Sequence, residues 1–84
     1  MREFTYQPQG VCSMQIQFAL DDHNVIHNLR FIGGCPGNTL GVATLAEGQE
    51  ASQVIAKLQG IDCRGRGTSC PDQLAKALAQ ALQQ

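Results

Sequence analysis

The chain of 84 residues has no tryptophan, one tyrosine and three phenylalanines, so it offers few aromatic faces on which bases could stack. It has no excess of basic charge either. Six Lys and Arg against seven Asp and Glu leave a net charge of −1, which provides no long-range attraction for a phosphate backbone. One Gly65-Arg66-Gly67 triplet in a near-neutral chain does not alter that, and nucleic acid is set aside as a partner. No apolar run approaches the roughly 20 residues of a membrane span. The opening stretch Met1-Arg2-Glu3-Phe4-Thr5-Tyr6-Gln7 is polar and alternating, unlike a secretory signal. The expectation is a cytosolic (cytoplasmic) protein with no membrane partner. Also missing are a Ser/His/Asp set, a phosphate-binding loop, paired carboxylates, a linker and an internal repeat. That leaves one domain, residues 1–84, without the usual machinery of a self-sufficient enzyme.

What the chain does have is four cysteines. A single core of this size supplies only a few kcal/mol, so small domains often add a disulfide, a metal or a partner subunit. In a reducing compartment, cysteines are more often metal ligands or redox thiols than permanent disulfides. The intervals between them are twenty-two, twenty-seven and six residues, with no Cys-x-x-Cys knuckle. A site made of all four must therefore be assembled by the whole fold.

Hydrophobic patterning predicts where each cysteine falls. Arg2 to Gln7 alternates, with Phe4 and Tyr6 on one side, and reads as a short edge strand ended by Pro8 to Gly10. Cys12, Met14, Ile16, Phe18 and Leu20 share one face of a second strand. Asp21-Asp22-His23-Asn24 supplies turn formers, and Val25, His27, Leu29 and Phe31 line one face of a return strand. Gly33 to Asn38 breaks that strand, and Asn38 or Thr39 can cap a helix running to about Ala46. Gly48 closes it. Ala51, Val54, Ile55 and Leu58 recur at helical spacing until Gly60 stops a second helix. Leu74, Ala75, Leu78, Ala81 and Leu82 form the apolar stripe of a third. The expected class is α+β: a small three-stranded antiparallel sheet followed by three helices packed on one face.

In this reading the cysteines occupy junctions. Cys12 opens a strand, Cys35 follows one, Cys63 follows a helix and Cys70 precedes one. Adjacent antiparallel strands place the start of one beside the end of the next, so Cys12 and Cys35 belong at the same end of the hairpin. Cys70 lies in Thr68-Ser69-Cys70-Pro71-Asp72, where Thr68, Ser69 or Cys70 can cap the last helix, Pro71 suits its first turn, and Asp72 is favoured by the dipole. A helix N-terminus is also where a thiolate is favoured. Four converging thiolates suit zinc, tetrahedral with Zn–S of about 2.3 Å, and equally an iron-sulfur cluster. Arg64 and Arg66 lie between the last two cysteines, as charge compensation for such a site or as an ordinary solvated basic loop. Asp62 and Asp72 flank the same pair as outer acceptors or a mobile ligand, with a helix cap and a surface carboxylate as the ordinary explanations. For a single inward cysteine such as Cys12 the ordinary reading is a small buried hydrophobe, and for His27 a hydrogen-bonded core or edge histidine. His23, in the turn, is expected to be exposed.

The string Thr68-Ser69-Cys70-Pro71-Asp72 is similar to the signature of the TSCPD domain family, and the whole chain resembles its stand-alone, four-cysteine form. That resemblance implies a relationship to a C-terminal domain of some ribonucleotide reductases, although 84 residues are too few for a radical-bearing barrel and a nucleotide pocket. A more distant resemblance runs through Cys12-Ser13-Met14-Gln15-Ile16-Gln17-Phe18, Asp21-Asp22, Val25-Ile26, Leu29-Arg30-Phe31 and Gly34-Cys35 to a cysteine just before the last helix. This pattern resembles the IscU/NifU-type iron-sulfur scaffold proteins and implies their fold, with Cys12, Cys35 and Cys70 on the three scaffold cysteines. The chain departs from them in having Ser13 and Met14 where the scaffolds carry an aspartate, Ser69 where a histidine commonly stands, a shorter segment between the second and third cysteines, and the additional Cys63. A fourth cysteine in place of Asp and His favours a closed, retained-metal site.

The reading is a metal-binding module in which Cys12, Cys35, Cys63 and Cys70 hold one ion, zinc first and an iron-sulfur cluster second, with Arg64, Arg66 and Asp72 around it. One alternative is an accessory to a ribonucleotide reductase acting through a Cys63/Cys70 redox dithiol. The other is a cluster-assembly scaffold, whose partner would be a cysteine desulfurase.

Overall fold

The structure is a computed structural model. It describes every residue except Cys12, Gly34, Cys35, Cys63, Arg64 and Arg66, and it leaves aside the side chains of Ser13 and Pro36. Three strands, β1 (Arg2–Tyr6), β2 (Ser13–Leu20) and β3 (Ile26–Gly33), are followed by three helices, α1 (Pro36–Ala46), α2 (Ala51–Leu58) and α3 (Cys70–Leu82). The strands form an antiparallel meander in the order β1-β2-β3, and the class is α+β as the patterning predicts. Ile16, Phe18 and Leu20 of β2 meet Ala43 and Ala46 of α1, Val54 of α2, and Leu74, Ala77 and Leu78 of α3 in one core. Phe4 stacks on Phe18 with ring centroids 5.4 Å apart and extends this layer to the sheet edge.

The expected alternation fails at two places, each for a local reason. Ser13 pairs with Gly33 but Gln15 with Ile32, so Met14 is an extra residue in β2. Its side chain, expected in the core with Ile16, is 66% exposed. On β3, Gln17 pairs with Arg30 and Ala19 with His27, so Asn28 and Leu29 together oppose Phe18. Asn28 absorbs the bulge at φ 56, in the left-handed region that asparagine tolerates better than most residues. The inward residues of β3 are therefore Ile26 and Leu29, with Phe31 packed beside them. Val25 and His27, expected to share the apolar face, are only half-buried.

A carboxylate holds this bulge. Glu47, just past α1, accepts the Asn28 amide on Oε2 and the Leu29 amide on Oε1, each at 2.9 Å. Beside it, the Gly48 amide donates to the Ile26 carbonyl and the Ile26 amide to the Gln49 carbonyl. Gly48 has φ 79, which lets the chain turn back after α1. α1 starts at Pro36, earlier than a cap at Asn38 or Thr39 would place it; proline is favourable in a first helical turn because its missing N–H has no helical partner there.

The β2–β3 turn is built on Asp21. Its Oδ1 accepts the His23 and Val25 amides (2.8 and 3.0 Å), and its Oδ2 meets His27 Nε2 at 2.9 Å. His27 is thus a hydrogen-bonded edge histidine, and His23 is exposed. The imidazole of His27, followed by the Val25 and His23 amides, holds the Asp21 carboxyl down to about 2.

Candidate functional site

The strand register defines two ends of the sheet. The Asp21 turn closes one. At the other, Ser13 at the start of β2 pairs with Gly33 at the end of β3, and Tyr6, where β1 leaves the sheet, pairs with Ile16.

Two helices begin at this second end. α1 starts at Pro36, three residues after Gly33, and finishes where Glu47 and Gly48 bond to β3 near the turn. α3 lies along β1 in the reverse direction: Gln73 in its first turn accepts from the Tyr6 hydroxyl at 3.5 Å, and the Gln84 carbonyl beyond its end accepts from the Arg2 guanidinium at 3.4 Å. Both helices thus direct the partial positive charge of their N-termini to the same end of the fold.

The start of α3 is capped as its sequence predicts. Ser69, at φ −154, is the N-cap, and its hydroxyl accepts the Asp72 amide at 3.1 Å. Pro71 follows within the first turn. Cys70 is the first helical residue and is half-buried.

Around it lies a block of buried polar groups. Thr68, Ser69, Asp72 and Gln73 are all nearly inaccessible, with Asp72 4% exposed. A surface position for Asp72 is thereby overturned: the chain folds its carboxylate inward because donors await both oxygens. Oδ1 accepts the Gly60 amide at 2.6 Å, and Oδ2 accepts the Thr68 hydroxyl at 2.5 Å. Lys76, one turn along α3, adds an ion pair to Oδ2 at 3.3 Å. Burial pushes this carboxyl up, but the bonds from Thr68 and Gly60 and the Lys76 ammonium outweigh it, so the net direction is down.

Gln73 extends the network to the sheet. Its Nε2 donates to Thr68 Oγ1 at 2.9 Å, and its Oε1 accepts the Gln9 amide at 3.1 Å. Gly10 packs so tightly here that a Cβ added to it would come within 3.3 Å of Thr68 Cγ2. Sequence reasoning passed over Gln73. The available signal was a polar residue beside Leu74 and four before Ala77, on a helix face that is otherwise apolar.

Asp62 is exposed and organises the segment before the motif. It accepts the Gly65 amide on Oδ2 at 2.6 Å and the Gly67 amide on Oδ1. Gly65 and Gly67 have φ 78 and 79, conformations that suit glycine.

Of the expected site residues, Cys70 and Asp72 are described in position. Cys12, Cys35, Cys63, Arg64 and Arg66 lie outside the described residues. Among the described residues no three His, Cys, Asp or Glu side chains form a metal-binding group. The signature Thr68-Ser69-Cys70-Pro71-Asp72 opens a helix whose cap and buried carboxylate anchor the domain's loops, and the TSCPD domain model matches residues 2–82. The chain belongs to the TSCPD domain family. No curated protein and no solved structure is detectably similar to it. In this TSCPD domain the signature residues have separate tasks: Ser69 caps, Pro71 starts the helix, Thr68 and Asp72 bond to each other while Asp72 also takes the Gly60 amide, and Cys70 stands at the helix N-terminus. No helix among the described residues is long and apolar enough to cross a membrane.

Proposed function

We propose that the protein is a metal-binding TSCPD module in which Cys12, Cys35, Cys63 and Cys70 hold one zinc ion, with an iron-sulfur cluster as the second choice of occupant. The observation that carries this reading is the meeting of chain junctions at one end of the sheet. Ser13 follows Cys12 in the chain and pairs with Gly33, two residues before Cys35. Gly10, two residues before Cys12, lies against Thr68, two residues before Cys70. With consecutive Cα atoms about 3.8 Å apart, two-residue spacings keep these cysteines within a short chain distance of those contacts. The N-termini of α1 and α3 face the same end, where each favours negative charge by roughly 0.3–1 kcal/mol. A tetrathiolate site carries a net negative charge once zinc is bound, so this is the electrostatic setting it needs.

The donor set selects the metal. Four sulfurs suit zinc or an iron-sulfur cluster and are poor ligands for magnesium or calcium, which take oxygen. Such a site closes all coordination positions and is structural rather than catalytic. Metal bound across three loops would also stabilise a domain whose core is small. The test is anaerobic purification followed by metal analysis by mass spectrometry and a visible spectrum. One zinc per chain, or the absorption of an iron-sulfur chromophore, supports the reading. Colourless, metal-free protein with four titratable thiols overturns it.

A second reading has its own support. Gly60 and Thr68, the described residues bracketing the Cys63 segment, both bond to Asp72, two residues from Cys70. That return of the loop to its own helix suits a Cys63/Cys70 dithiol serving a ribonucleotide reductase. Reduction of such a disulfide by thioredoxin, with Cys12 and Cys35 dispensable, would select this reading over the first.

A further inference from the structure

We infer that Thr68, Asp72 and Gln73 are positioning residues of the thiol site: one buried carboxylate clamps both ends of the Cys63 loop while the neighbouring amide ties the approach to Cys12 onto the same helix. The inference rests on the metal-binding reading above and says how the site is held together.

The clamp follows from the two oxygens of Asp72. Oδ1 accepts the amide of Gly60, where the chain leaves α2, and Oδ2 accepts the hydroxyl of Thr68, where the chain enters α3. The seven intervening residues are thereby closed into a loop by one side chain. Asp62 shapes the interior of that loop through the Gly65 and Gly67 amides. Closing a loop by two bonds to one fixed group removes much of the freedom its residues would otherwise lose on binding an ion.

Gln73 carries the second link. Its amide nitrogen bonds to the Thr68 hydroxyl, which is already directed at Asp72, and its oxygen accepts from Gln9 and Tyr6. Thr68 is therefore the shared node, donating to one helix residue and accepting from the next, with its methyl against Gly10. Thr68, Asp72 and Gln73 are buried and bonded to one another and to the backbone of Gly60 and Gln9, so they hold their geometry without an ion present. The signature threonine and aspartate thus act on the site without touching the metal. Their contribution is to bring the Cys63 loop and the Cys12 approach to Cys70 before metal arrives, which lowers the ordering cost of binding.

The test compares wild type with Thr68→Val, Thr68→Ser and Asp72→Asn, measuring zinc affinity by chelator competition and the visible spectrum of the cobalt(II)-loaded protein. Thr68→Val keeps the volume and loses the hydroxyl; Thr68→Ser keeps the hydroxyl. Groups that orient ligands cost about 10–100-fold in metal affinity when removed, and losses of that size are expected for Thr68→Val and Asp72→Asn, with an altered cobalt-thiolate spectrum. Thr68→Ser is expected within about threefold of wild type by the same argument, because it retains both bonds at the node. Far-ultraviolet circular dichroism of the metal-free proteins identifies any variant that fails to fold, and the Thr68 pair then decides. A wild type that takes no zinc or cobalt overturns the metal reading and this inference with it. A wild type that binds while folded Thr68→Val matches it in affinity and spectrum overturns this inference alone.

Discussion

Replacing Glu47 by alanine should loosen β3, and its effect follows from geometry. The Glu47 carboxylate is the acceptor for both amides of the bulge, Asn28 and Leu29, at 2.9 Å each. Hydrogen bonds to a charged group contribute about 1.5–3 kcal/mol each in protected settings. Glu47 and Asn28 are exposed, so water can replace much of this, while the buried Leu29 keeps its amide at the core boundary. A net loss of about 2 kcal/mol is expected after that discount. For a domain of 84 residues, each kcal/mol moves the melting temperature by about 4–8 °C, so Glu47→Ala should melt about 8–16 °C lower. Glu47→Gln retains one carbonyl acceptor and should fall about midway by the same argument. The consequence is more than local. Without the bulge, strict alternation from Ile26 would direct Arg30 to the core and Leu29 to solvent, and Gly33 would no longer reach Ser13 in register. The assay is thermal unfolding of metal-free protein by circular dichroism, with amide exchange read at Asn28 and Leu29. A melting point within about 2 °C of wild type, with exchange at both amides unchanged, would refute the reasoning.

Two further outcomes follow. Asp21 has its folded value depressed from 3.8 to about 2, so its contribution is complete above the ordinary value and is lost as pH falls through about 2. Asp21→Asn should therefore be less stable than wild type at neutral pH, and the gap should close between those two values; a gap that does not narrow there, in unfolding curves against pH, contradicts the assignment. Ser69→Ala removes the cap on the Asp72 amide and should cost about 1 kcal/mol, whereas Ser69→Gly should cost only a few tenths more than wild type; chemical denaturation of metal-free protein distinguishes the two.

Much of the fold was legible because its signals are local. Glycine at 48 and 60 ends helices at positive φ, and Ser69 and Pro71 announce the start of α3 by chemistry that acts within one turn. The turn at Asp21 to Asn24 likewise depends on a carboxylate reaching amides two and four residues away. The faces of Met14, Val25 and His27 differ from the patterning because a bulge changes the phase of alternation without changing composition. The surface explanation of Asp72 fails for a related reason. A carboxylate in a first helical turn is ordinarily solvated near the positive helix end, and nothing within a few residues reveals that Gly60 will supply a donor.

By itself, the sequence determined the element order, the antiparallel sheet and the cap of the last helix, since backbone periodicity and capping depend on neighbours along the chain. The tertiary structure alone decided which residues the helices cover and what the signature motif holds. Glu47 meets the bulge from 18 and 19 residues away, Asp72 meets Gly60 across 12, and Gln73 meets Gln9 across 64. Such partners are selected by the packing of helices on the sheet, where a buried donor or acceptor must be satisfied by whichever group the fold brings beside it.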